Sequence, residues 1–425
     1  MPVHVVTRGP RGARSEDVRR GNLGTLLRHL HVHGATSRST LASLLSLNRS
    51  TIGDLTGELV AAGLVRERPG GRGGLQADGG RATGGLQGDG GRATGGRPSF
   101  VVVPETERVQ VLAVDIGVTH LTVARVGLGG QVLSRRDISH RRGPRRMRTM
   151  VKSIGSVARE LLAETGPGVS CTGAGAAVPG MVRVPDGLVR QVPNLGWSDV
   201  PLGEELGREL GMPVAVGNDA DLGALAEHVR GVAVGCDDVV YLAGHSGIGA
   251  GIFTSGRPLV GRRGYAGEVG HLVVDPDGLP CHCGSRGCWE TEAGEERLFQ
   301  LAGRPAGGGL RGVREVVAAA AAGDGAATAA VEHVAEWLGR GTANVVNAFN
   351  PEVVILGGAL AEIHEAAGAS VDAALRSGAL APPLEGVRLV LPAFGLDSSL
   401  LGAAELAFAP LLSDPLLEMS RLTAS

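Results

Sequence analysis

The sequence predicts an α/β protein, with a small helical head ahead of a larger body of strands and helices. Leu23, Leu26, Leu27 and Leu30, then Leu41, Leu44 and Leu45, then Ile52, Leu55, Leu59 and Val60 recur at helical spacing near the N-terminus, the period of one apolar helical face. Later apolar runs at 109–117, 239–243 and 353–356 are bounded by glycine and read as buried strands. With 425 residues, 43% of them hydrophobic, the chain is long enough for two or three domains with real cores.

The head begins with a helix over 22–33, which Gly34 ends. Ser37 or Ser39 can cap a short second helix through a hydroxyl that accepts an otherwise orphaned amide. Ser46-Leu47-Asn48 makes a tight turn, and Asn48 caps a third helix that Gly63 ends. Leu64-Val65-Arg66-Glu67 follows as a strand, and 99–103 as its return. This is the pattern of a winged helix-turn-helix, a reader of duplex DNA. Its third helix opens with Arg49, Ser50 and Thr51, side chains that bond phosphates and base edges when a helix N-terminus enters the major groove. Arg38, and Arg72 and Arg97 of the wing, join them as candidate DNA contacts.

The wing carries an insertion over 70–97. Residues 75–85 repeat as 86–96 with only Ala77 changed, to Gly88. A recent duplication in a glycine-rich loop is the reading, and such a composition favours a flexible segment.

Charge divides along the same boundary. Residues 1–100 hold fourteen arginines and seven acids, a net of +7, whereas the whole chain carries −2, leaving −9 for the remainder. A basic head on an acidic body points to a polyanion partner for the head alone. Residues 1–15 form a basic tail and 16–105 the winged head. No apolar run approaches the length of a bilayer span, and no apolar stretch follows the first charges as in a secretory signal. Cys171 and Cys236 stand apart, with nothing like an extracellular disulfide framework. A cytoplasmic location without membrane contact is the expectation.

The densest chemistry lies at 264–290. Gly264-Tyr265-Ala266-Gly267-Glu268-Val269-Gly270-His271 precedes Cys281-His282-Cys283-Gly284-Ser285-Arg286-Gly287-Cys288. His271, Cys281, Cys283 and Cys288 can close the tetrahedral shell of a structural Zn2+. The alternative is three buried thiols with no metal.

Gly-x-Ala-Gly-Glu-x-Gly-His followed by Cys-x-Cys-Gly-x-x-Gly-Cys-x-Glu resembles the signature of the ROK family, bacterial sugar kinases and sugar-responsive repressors. The likeness runs from about residue 109 to the C-terminus. It implies a two-lobed actin/hexokinase-like (ribonuclease H-like) body, with lobes at 109–230 and 231–425 and a C-terminal helix returning to the first. It also implies a sugar site of Asn194, Asn218, Asp219, Glu268, His271 and Glu290, since carboxylates accept from vicinal hydroxyls and a zinc-bound imidazole holds one tautomer. In the kinases, Asp219's counterpart is the general base. Asp115, Gly117 and Thr119 match the first phosphate hairpin, Gly247 and Gly249 the second, and Gly357 and Gly358 the adenosine turn. Here Val118 replaces a glycine that lets amides approach phosphate, and His120 replaces a lysine. Both departures argue against ATP/Mg2+. Repressors of the family carry a winged head and kinases generally lack one. The resemblance therefore implies a sugar-responsive repressor of operator DNA, released by a sugar or sugar phosphate and acting as a homodimer or homotetramer. The rival is an ATP-dependent sugar kinase with an added head.

Overall fold

The computed structural model describes residues 15–70, 100–184 and 186–424. The basic tail and most of the wing insertion, Arg72 and Arg97 included, lie outside the described residues.

The head consists of α1 (Ser15–His33), β1 (Thr36–Ser37), α2 (Arg38–Leu44), α3 (Arg49–Ala61), β2 (Val65–Arg68) and β3 (Val101–Pro104), its strands ordered β1-β3-β2. Of the two serines able to cap α2, Ser37 does so, accepting from Thr40 N at 3.1 Å. Asn48 Oδ1 accepts from Thr51 N at 2.8 Å and starts α3. Leu23, Leu26, Leu27, Leu30, Leu41, Ile52, Leu55 and Leu59 are buried together. Leu44 and Val60 instead face outward, at 57% and 41% exposure. Thr56 takes the inward place, because its hydroxyl is satisfied by donating to Ile52 O at 2.7 Å. Helix α1 also starts seven residues earlier than its apolar stripe suggests. Glu16 and Asp17 favour a helix N-terminus there, and Arg19 pairs with Glu58 of α3.

The body has two lobes built alike. In the first, β4 (Val109–Ile116), β5 (His120–Gly127) and β6 (Val132–Ser139) run antiparallel, and β7 (Ser170–Val178) and β11 (Val214–Asn218) extend the sheet in parallel beyond β4. Helices α4 (Met147–Ala163) and α5 (Leu202–Leu210), and a small sheet of β8 (Met181–Arg183), β9 (Leu188–Val192) and β10 (Trp197–Val200), complete it. Helix α6 (Asp219–Arg230) leads out. In the second lobe β12 (Val239–Gly244), β13 (Ile248–Thr254) and β14 (Arg257–Pro258) repeat the antiparallel set, with β15 (Val353–Gly358) and β16 (Arg388–Val390) added in parallel. Around it pack α7 (Trp289–Ala293), α8 (Glu295–Leu301), α9 (Gly309–Ala321), α10 (Gly325–Phe349), α11 (Ala359–Gly378) and α12 (Ala381–Leu384).

Helices α13 (Ser398–Ser413) and α14 (Pro415–Ala424) end the chain. Helix α13 packs on β4 and β7 of the first lobe and against α6, which packs on β12 and β13 of the second. At this junction backbones touch. A Cβ on Gly402 would lie 1.8 Å from Leu222 O, and one on Gly251 2.3 Å from Ala220 O; only glycine fits. The other face of α13 carries Phe408, Leu411 and Leu412 into the core of the head. One expectation is overturned here. The segment Gly395–Ser413 is long and apolar enough to span a membrane, and it is 67% buried inside the protein. A helix covered by a sheet, a second helix and the head has little polar face to show.

Candidate functional site

The two lobes face each other across a cleft, and local structure aims particular side chains into it. The 3-10 turn Pro193–Leu195 presents Asn194, the N-terminus of α6 presents Asn218 and Asp219, and the 3-10 turn Val269–His271 carries His271 with Glu268 as its N-cap. Helix α7 supplies Glu290. All six residues expected at a sugar line one cavity of about 330 Å³.

Several are held by neighbours that sequence reasoning did not single out. Asn194 Nδ2 donates to Ser246 Oγ at 2.8 Å, and Arg142 Nη2 donates to Asn194 Oδ1 at 3.4 Å. Asp219 Oδ2 lies 3.5 Å from His245 Nδ1. Glu290 Oε1 is 3.3 Å from His271 Nδ1 and 3.4 Å from His282 Nδ1. Asn218 is largely committed to structure: its Oδ1 accepts from Ala220 N and Asp221 N, and its Nδ2 donates to Gly180 O at 3.0 Å. Burial, with the carboxylates of Asp219 and Glu268 close by, pushes the Asp221 carboxyl up to about 7. Burial, with the carboxylates of Asp219 and Glu290 close by, raises Glu268. The sequence signal for His245 and Ser246 lies in Gly244-His245-Ser246-Gly247, between the glycines of the hairpin.

The donor atoms of His271, Cys281, Cys283 and Cys288 lie within 4.8 Å of one another. Cys283 Sγ is 3.6 Å from Cys288 Sγ, and Cys281 Sγ 3.7 Å from His271 Nδ1. A tetrahedral zinc with Zn–S bonds of about 2.3 Å sets its sulfurs about 3.8 Å apart. The residues therefore fit such an ion. The loop reaches this shape through Gly287, whose φ is +66° and where a Cβ would fall 1.5 Å from Asp275 O.

A second cavity, of about 700 Å³, lies alongside and shares Pro179, Asp219, His245 and Ser246 with the first. Asp115, Gly117, Thr119 and Gly358 line it, as a nucleotide side would require. Gly247 and Gly249 line the first cavity instead. Gly357 lines neither, because its open side faces the Tyr241 hydroxyl, which a Cβ would meet at 2.5 Å. The His120 ring lies over Gly117, where a Cβ would be 2.1 Å from Cε1, and its Nε2 is 3.0 Å from Asp115 Oδ2. The imidazole thus stands on the hairpin floor and engages the aspartate. That hydrogen bond, opposed by burial, raises the His120 pKa.

In the head, Arg49 and Ser50 are exposed at the start of α3, with Ser50 Oγ donating to Asn48 Oδ1 at 2.7 Å. Thr51 is half-buried beside them. The Arg38 guanidinium bonds Glu67 through Nε and Nη2 and lies over the Phe100 ring, 5.4 Å from the centroid. Those contacts tie α2 to the wing strands.

The model of the ROK family matches residues 111–409. The chain belongs to the ROK family. Among ROK relatives, a glucokinase of Halalkalibacterium halodurans is 29% identical over 305 residues, 68% of this chain and 92% of its own length. A xylose repressor of Caldicellulosiruptor bescii is 29% identical over 333 residues, 76% of this chain and 78% of its own. Among solved structures, a ROK family transcriptional regulator described as a homologue of E. coli MLC protein superposes with a TM-score of 0.74 at 27% identity, covering 95% of this chain and 100% of that one.

Proposed function

We propose that this chain is a sugar-responsive transcriptional repressor, with a winged helix-turn-helix head that reads operator DNA and a ROK body that senses the effector. One observation carries the reading. The head is mounted on α13, and α13 is packed on α6, whose first residues frame the sugar-side cavity. The extent of the likenesses supports it: the glucokinase stops at 68% of the chain, whereas the solved regulator reaches 95%.

A sugar between the lobes bonds Asn194 and Asp219 on one side and Glu268, His271 and Glu290 on the other. It favours whichever lobe closure brings those groups to its hydroxyls, and it can move the DNA-competent population only by that difference in affinity. The closure angle is felt where α6 meets α13, and through α13 by the head. Zinc, when bound, supplies a rigid tetrahedral anchor for the cysteine loop; with four protein ligands it has no open position for chemistry. His271 and Glu290 then do the positioning. A homodimer would set two heads on half-sites about one helical turn apart. A cytoplasmic location follows from this role.

Gel shift with DNA from upstream of its own gene tests the reading. Binding is expected to fall steeply with salt, as phosphate contacts require, and to be released by a monosaccharide. No DNA binding at low salt would overturn it. The kinase reading keeps one specific support, Asp219 standing between the two cavities. His245 on that aspartate, and His120 with Val118 at the phosphate floor, oppose it. Formation of sugar phosphate and ADP by the purified chain would restore it.

A further inference from the structure

A third cavity, of about 500 Å³, adjoins the sugar-side cavity and shares Ser246, His282 and Glu290 with it. With the second cavity it has only Ser246 in common. The sugar-side cavity therefore has a neighbour at each end. Asp219 and His245 mark the join with the second, Glu290 and His282 the join with the third. A ring held between Asp219 and Glu290 turns one edge toward each.

The third cavity carries the groups that read hydroxyls. Helix α8 and the loop after it supply Glu296, Arg297, Gln300 and Arg304, and Leu279 and Pro280 give apolar surface. Much of this polar capacity is unspent. Gln300 Oε1 accepts from Arg297 Nη1 at 2.9 Å, and its Nε2 has no partner among the described residues. Glu296 meets Arg142 through Oε1 alone, at 3.0 Å. Arg297 Nε is buried without an acceptor, since Glu292 Oε2, 3.3 Å away, lies outside hydrogen-bond geometry. Such a donor is costly until a ligand supplies an oxygen. A hydroxyl answers both kinds of need, because it donates and accepts at once. At the join stands the His282 side chain, 55% exposed and 3.4 Å from Glu290 Oε1, a surface group rather than a packed wall.

The second cavity is larger and less suited to a further ring. Its guanidinium groups are engaged, Arg135 by Asp137 and Asp397, Arg142 by Glu295 and Glu296, and Arg311 by Glu315. At the join with it, His245 faces Asp219 and Ser246 is bonded to Asn194. The third cavity exceeds in volume the one assigned to a single ring, so it has room for more than a methyl or acetyl substituent.

We infer that the effector is a disaccharide or longer glycoside, with one ring in the sugar-side cavity and the next in the third, where Arg297 and Gln300 read its hydroxyls. The inference rests on the sensor reading above and deepens it.

Isothermal titration of the full chain with matched pairs tests it. The pairs are xylose with xylobiose, glucose with cellobiose, glucose with maltose, and N-acetylglucosamine with its β-1,4-linked dimer. At least one disaccharide is expected to bind about 10-fold or more tightly than its own monosaccharide, the effect of one or two added hydrogen bonds. Ala306 lines the third cavity from an exposed loop position. Ala306→Trp fills that space and should erase the gain while leaving the monosaccharide unchanged. Gln300→Ala should weaken the disaccharide alone, by about 5-fold. Monosaccharides that bind as tightly as every disaccharide would overturn the inference and leave a monosaccharide sensor standing. A gain that survives Ala306→Trp would place the second ring elsewhere and overturn it too. No binding by any sugar, single or double, would sink the assignment of the sugar-side cavity as well.

Discussion

His31 of the head lies 3.1 Å from Glu405 of α13 through Nε2, and both side chains are buried. The amide of Gly129 donates to His31 Nδ1 at 2.9 Å, so the ring proton sits on Nε2 and is given to the carboxylate. Arg230, at the end of α6, bonds the same carboxylate and donates to Gly129 O at 2.9 Å. Burial pushes the Glu405 carboxyl up, but His31 and Arg230 outweigh it and hold the group below its ordinary range. One carboxylate thus joins the head, the first lobe and the far end of the helix that starts at the sugar-side cavity.

Glu405→Gln keeps the shape and removes the charge, leaving Arg230 buried without its counter-ion. Loss of one partner from such a pair costs about 3 kcal/mol. Chemical denaturation should register that loss. Amide exchange in α1 should quicken, and operator binding should lose its dependence on effector.

His31 also sets a pH dependence. Burial outweighs Glu405 and holds its imidazole below the ordinary 6.5. The unfolded chain therefore takes up this proton first as pH falls. Stability from the buried neutral ring is present above about pH 6.5 and declines below it. Urea melts from about pH 7.5 to about pH 5.5 should show a shallower slope in His31→Gln than in the parent.

Asp221 works in the opposite sense. Its carboxyl is held from an ordinary 3.8 up to about 7, so the folded state prefers it protonated and loses stability as pH rises through that value. The penalty on the ionised form reaches roughly 4 kcal/mol at most. Asp221→Asn should melt higher than the parent at about pH 8, by a margin that shrinks as pH falls from about 7 and vanishes only below about pH 3.8. Equal melting at about pH 8 would show that Asp221 is not strained by its neighbours.

Elemental analysis should find about one zinc per chain, as a closed Cys3His site takes. Cys288 has 0% exposure, and Cys288→Ala should abolish the metal and weaken the effector response while leaving the head folded. A chain that is metal-free and fully responsive would remove zinc from the site.

The two arginines of the head should separate. Arg49→Ala should weaken operator binding and lower the salt slope by about one. Arg38→Ala should leave the slope unchanged and lower the melting temperature, because it loses Glu67 and Phe100 rather than a phosphate.

What the sequence disclosed followed range. Ser37 and Asn48 act on amides three residues away, so local pattern named one cap and narrowed the other to two serines. The sugar-side residues were legible through motifs tied to a family. His31 and Glu405 are 374 positions apart, and neither sits in a motif, so nothing local could pair them. The contacts of Arg38 with Glu67 and Phe100 form only once the wing has folded, so no local pattern announces them. Leu44 and Val60 fit a helical stripe, yet such a stripe is wider than the core that α2 and α3 share.

The contact of Gly402 with the Leu222 carbonyl has a mechanical meaning. Main chain set against main chain, flanked by the packed side chains of Leu222, Leu400 and Ala403, makes a close bearing between α6 and α13, so a movement of one helix is passed to the other without slack. A single methyl group at 402 would wedge the bearing.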